Sequence, residues 1–137
     1  MIEAMDREKA IAEIREIMAA EKMRPSKVKR LESIPAVFDT LVDGLMDGSM
    51  LPDLANGKIV QKLCFPLGDN KSVTELAFNT RVPMKSLNDA YAKINSADGA
   101  AKINATIETM TGIFGMQVLA LRPTDKELAD AIAVFFM

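Results

Sequence analysis

A chain of 137 residues, 49% of them apolar, is one domain or a small domain with an appendage, and it can bury about two-thirds of its unfolded surface. Its formal charge of −2 offers no general attraction to nucleic acid or an anionic membrane, and no apolar run reaches the roughly 20 residues of a membrane span. With no His and a single Cys, Cys64, it has no Ser-His-Asp or Cys-His nucleophile pair, no zinc cluster and no internal disulfide.

The N-terminus, MIEAMDREKAIAEI, is charged and alternates too quickly for a secretory signal. Together with the lone Cys, this predicts a protein that stays in a reducing cytosol. Glu3 to Lys22 read as a helix. Ile11, Ile14 and Met18 recur at heptad spacing, with Ala4 one heptad before Ile11, while Arg7, Lys9, Glu13, Arg15 and Glu16 fill the other faces. So narrow an apolar stripe suits a helix laid on one neighbour. That neighbour is either a partner's helix, with Ile11, Ile14 and Met18 as the contact, or another part of this chain.

Pro25 interrupts the pattern within a basic cluster of Lys22, Arg24, Lys27, Lys29 and Arg30, and a second helix is expected to open near Ser26. Pro35 disfavours helical geometry at Ile34 and marks another joint. The next helix has the cleanest periodicity, through Ile34, Val37, Phe38, Leu41, Val42, Leu45 and Met46, and Gly48 is placed to end it. The segment GSMLPDLANGK, punctuated by Pro52 and Asn56-Gly57, reads as a loop.

Lys58 to Phe65 is a strand candidate, with Ile59, Leu63 and Phe65 on one face and Gln61 as a polar intruder. A turn spans Pro66 to Ser72, where Gly68-Asp69-Asn70 supplies positive φ, and Val73 to Phe78 returns. Such a hairpin needs helices against its apolar face. Ser86 with Asp89 reads as a capped start for a helix burying Leu87, Ala90, Tyr91 and Ile94. A further helix carries Ile103, Ile107 and Met110 and ends near Gly112 or Gly115. Met116 to Leu121 fits a buried helical turn or a strand. Thr124 with Glu127 forms a capping box for a last helix that turns Leu128, Ile132 and Phe135 inward.

Few residues carry chemistry. Asp39, Asp43 and Asp47 lie at i, i+4 and i+8 on one helix face; without further ligands this is a solvated face rather than a cation site. The glycines near Asp69 and at Gly112 and Gly115 lack the spacing and context of a phosphate loop. Cys64 reads as a small buried hydrophobe. The ten methionines, Met46, Met50, Met84, Met110 and Met116 among them, are either core filler or an adaptable partner surface.

The expected fold is α+β, mostly α, with several amphipathic helices packed on one β-hairpin. Residues 1–57 are expected to form a helical N-terminal extension and 58–137 the hairpin-plus-helices domain, with the seam at Gly48 to Gly57. From Gln61 onward the chain resembles the small tail assembly chaperones of contractile-tailed phages. The resemblance is carried by Leu63 and Pro66, by Val73-Thr74-Glu75-Leu76, by Arg81 and Pro83, and by the boundaries Thr111-Gly112 and Thr124-Asp125. Asn79 and Thr80 stand as two extra residues before Arg81, and residues 1–57 lie outside the resemblance.

The resemblance implies a non-catalytic protein of the host cytoplasm, without cofactor or metal, that binds the tape-measure protein and helps recruit tail tube subunits. Self-association is a further partner expectation, while membrane and nucleic acid are not expected. Two alternatives stand beside this: a virion structural protein of tail or baseplate using residues 1–57 for subunit contacts, and a small DNA-binding regulator using Lys22 to Arg30.

Overall fold

The computed structural model describes residues 5–137, so Glu3 and Ala4 of the expected first helix lie outside the described residues. In chain order the described residues form α1 (Arg7–Ala20), α2 (Pro25–Glu32), α3 (Pro35–Asp47), β1 (Met50–Asp53), a 3-10 turn (Leu54–Asn56), β2 (Lys58–Leu67), β3 (Val73–Asn79), α4 (Met84–Tyr91), α5 (Gly99–Thr111), α6 (Gly115–Ala120) and α7 (Pro123–Phe136). The fold is α+β and mostly α.

Prolines decide where several helices begin. Pro25, Pro35 and Pro123 each occupy the first helical position, where the ring presets φ and the missing N–H removes no helical bond. α2 thus opens beside the expected Ser26, and two other expected starts move. Arg122 precedes α7, so Thr124 lies inside the first turn and no side chain caps the helix. α4 opens just after Pro83, and Ser86 donates its N–H to the Pro83 carbonyl at 3.0 Å instead of acting as a cap. Side-chain caps occur at Asp6, which accepts from the Lys9 N–H at 2.8 Å, and at Asp98, which accepts from Ala101 at 3.0 Å. α3 stops at Gly48, as its pattern requires, with φ +82°.

The sheet has three antiparallel strands in the order β1-β2-β3, one more than the expected hairpin. The extra strand comes from the segment read as a loop. Pro52 and Asp53 disguise it, and they are tolerated because β1 is an edge strand. Gly57 closes the turn into β2 at φ +65°. A Cβ there would lie 2.5 Å from Arg81 Nε, so glycine leaves the path by which the Arg81 guanidinium donates to the Ala55 carbonyl at 3.2 Å. The Arg81-x-Pro83 step thereby ties the exit of β3 to the turn before β2.

Met50, Ile59, Gln61, Leu76 and Phe78 share the inner face, since Met50 pairs with Gln61, Ile59 with Phe78 and Gln61 with Leu76. The register then breaks. Lys62 pairs with Glu75 but Leu67 with Val73, so Leu63 to Pro66 bulge out opposite a single residue, Thr74. The bulge overturns the expected common face of Ile59, Leu63 and Phe65: Leu63 is half-buried, Phe65 is exposed, and Leu67 recovers the inner side.

α3, α5 and α7 cover the sheet, and α1 packs on α3. Ile14 and Ile17 of α1 meet Leu41, Met50, Ile59, Ile132 and Phe135 around a gap too small for water. One buried cluster therefore joins residues from both sides of the expected seam. Within the described residues 5–57, α1, α3 and β1 share one core with the hairpin and α7, because β1 pairs with β2 and Ile14 and Ile17 pack among residues of β2 and α7.

Candidate functional site

The stripe singled out for partner contact points inward. Ile14 is 0% exposed and Met18 2%, and Ile11 is half-buried against the same core. Of the two neighbours open to this helix, the chain itself is the one it uses. The assignment of Ile14 and Met18 as a partner-binding surface is corrected accordingly: burying a large aliphatic side chain contributes about 1.5–3 kcal/mol, and here that burial is intramolecular.

At the bulge the structure builds a polar hub that the sequence did not reveal. Asp125, in the first turn of α7, is 2% exposed. Its carboxylate accepts the N–H of Cys64 at 2.8 Å and of Phe65 at 3.0 Å, the two amides that the bulge frees from the ladder. The Gln61 side-chain amide donates to the Asp125 carbonyl at 2.8 Å, and the Arg122 guanidinium lies 4.9 Å from the centre of the Phe65 ring. Strand and helix are thus clamped at three adjacent points. The sequence signal was an aspartate just inside a helix, and its partners lie about 60 residues earlier.

Beside the hub lies a cavity of about 230 Å³ lined by Asp43, Asp47, Ser49, Cys64, Thr124 and Glu127, among others. Two members of the acidic row on α3 reach it, while Asp39 pairs with Arg7 at 3.0 Å. Among the described residues no group of three or more His, Cys, Asp and Glu is placed to hold a metal ion. Cys64 is exposed, which corrects its reading as a core residue. Partial desolvation raises its thiol above the ordinary value, and the charge and hydrogen bond of Asp125, with the charge of Asp47, push the same way. This setting keeps the sulfur protonated, the opposite of an activated nucleophile.

The surface offers a different feature. α6 is a helix, settling the ambiguity of Met116 to Leu121, but it is only partly buried. Val118 and Leu121 turn inward, while Phe114, Met116 and Leu119 are 77%, 84% and 76% exposed. The Gln117 side chain accepts the N–H of Phe114 at 3.1 Å and fixes the start of this turn. From Thr111 to Leu121 the chain holds no charged residue. That uncharged run was the legible signal; a six-residue helix is too short for periodicity to say which side faces out. The methionines divide: Met50 and Met110 are buried, Met46 is half-buried, and Met84 and Met116 are exposed.

Lys22, Arg24, Lys29 and Arg30 of the basic cluster are exposed and Lys27 is half-buried. Among the described residues no helix is long and apolar enough to cross a membrane. No family model, curated protein or solved structure matches this chain.

Proposed function

We propose that this protein is a non-catalytic phage tail assembly chaperone that binds the tape-measure protein in the host cytoplasm and helps recruit tail tube subunits. The observation that supports this reading best is the exposed apolar face of α6, where Phe114, Met116 and Leu119 stand in solvent within an uncharged run. Contiguous exposed apolar surface marks an interaction site. A long helical client needs such a surface, at an affinity low enough for later release. The likeness of residues 61–137 to the tail chaperones supplies the identity of the client.

The test is a search of the neighbouring genes for a tape-measure-length product, followed by co-expression of that product with this chain. The wild type is expected to co-purify with it. The Met116→Glu/Leu119→Glu variant should lose the partner while keeping its thermal midpoint, because both positions are exposed. Failure of the wild type to co-purify refutes the reading. Sedimentation of the protein with finished particles replaces it with a structural role in the virion.

A further inference from the structure

A groove of about 480 Å³ runs between α1 and α2, within the roughly 300–1,000 Å³ of ligand-sized clefts. Met23 and Val28, with the exposed Ala19 and Pro25, contribute its apolar surface above the buried Met18, and Arg15, Lys29 and Glu32 stand around them. The half-buried Met23 thioether makes the lining adaptable, since an unbranched side chain re-forms around different apolar shapes. Arg15 and Glu32 are joined, Nε to Oε1 at 3.3 Å, which neutralises the one acidic side chain of the groove.

What remains is positive. Lys22, Arg24, Lys27, Lys29 and Arg30 form no ion pair among the described residues. Partial burial lowers the Lys27 ammonium below its ordinary value, and the charge of Arg30 adds to the effect, with Glu21 opposing it. Of these five, Lys29 lines the groove, and the segment 15–32 that forms it holds six basic residues against three acidic, a net positive stretch in a chain of net charge −2.

We propose that the α1–α2 groove is the docking site for an acidic amphipathic helix of a partner protein. Apolar anchors of that helix, spaced i, i+3 or i+4, enter between Met23 and Val28, and its flanking carboxylates meet Lys29 and the neighbouring cations. The apolar lining and the absence of aromatic side chains from it favour this occupant over nucleic acid, whose phosphates gain nothing from thioethers and whose bases have no ring to stack on. A second copy docking through α6 is disfavoured as well, because residues 111–121 carry no carboxylate to match the cations. The inference uses neither the α6 face nor the tail-chaperone likeness, and it stands whether or not that reading does.

The full-length protein is titrated into a fluorescein-labelled peptide of roughly 18 residues, long enough to form a helix, with leucines on one face and glutamates flanking them. Anisotropy is read at about 50 mM and 300 mM salt. The peptide should bind, about tenfold more weakly at the higher salt, and its lysine-for-glutamate counterpart should not bind. Arg24→Glu/Lys29→Glu should weaken binding about tenfold or more with an unchanged circular dichroism melt, and Met116→Glu/Leu119→Glu should bind like the wild type. Absence of binding overturns the proposal. So does equal binding of the lysine peptide, or binding unaffected by the charge reversal. Displacement of the peptide by duplex DNA at lower concentration assigns the groove to nucleic acid. A dimer that dissociates in the charge-reversed variant assigns it to a second copy.

Discussion

Replacing Asp125 probes the junction on which strand and helix depend. The carboxylate accepts two backbone N–H groups at 2.8 and 3.0 Å and sits in the first turn of α7. Hydrogen bonds to a charged acceptor contribute about 1.5–3 kcal/mol each, and a carboxylate in a first helical turn adds about 0.3–1 kcal/mol. Asp125→Asn keeps one acceptor oxygen but turns an amide toward the second N–H, so one bond survives and a donor faces a donor. The expected loss is about 2 kcal/mol. Asp125→Ala removes both acceptors. Both hydrogen bonds are only partly buried, so solvation of the freed amides holds that loss to about 3 kcal/mol. Against a total stability of about 5–15 kcal/mol either loss is large. With a urea slope of about 2 kcal/mol per molar, the midpoints followed by circular dichroism should fall by about 1 M and 1.5 M. The amides of Cys64 and Phe65 should exchange faster with solvent in both variants. A midpoint for Asp125→Asn within about 0.2 M of the wild type, or unchanged exchange at those two amides, would refute the argument.

The inward stripe of α1 predicts that Ile14→Ala costs about 2–5 kcal/mol in the same urea assay, whereas Ile11→Ala, at a half-buried position, costs about 1 kcal/mol; equal losses would show that α1 does not pack as described. At Cys64 the raised thiol pKa makes the folded state hold its proton after the unfolded state has released it, so stability should fall as pH rises past the ordinary thiol range. The pH–rate curve for alkylation of Cys64 should accordingly be displaced to higher pH than that of the urea-unfolded chain, and Asp125→Asn should move it back toward that curve. An unshifted curve for the wild type would remove the acidic cavity as the cause.

Local signals carried much of this fold. The period of Ile34 to Met46 placed α3, Gly48 ended it, Leu76 and Phe78 marked the inner face of the return strand, and Leu128, Ile132 and Phe135 marked that of α7. Each depends on residues a turn or a strand apart, which is the range over which periodicity and capping act. The sequence also determined the limits of the chemistry, since a chain without His and with a single Cys cannot assemble the common nucleophile pairs.

The tertiary structure decided what depends on distant partners. β1 exists because β2 offers it an edge, despite Pro52. Gln61 sits inside because the clamp at Asp125 uses its amide. Cys64 is exposed because the bulge turns the strand over there, and Ile14 and Ile17 are core because α3, α7 and the sheet complete a pocket around them. An apolar stripe on a helix states that something must cover it and is silent on whether the cover comes from the same chain. Only the packed structure shows that α1 is already covered, whereas the face of α6 and the groove between α1 and α2 are left open.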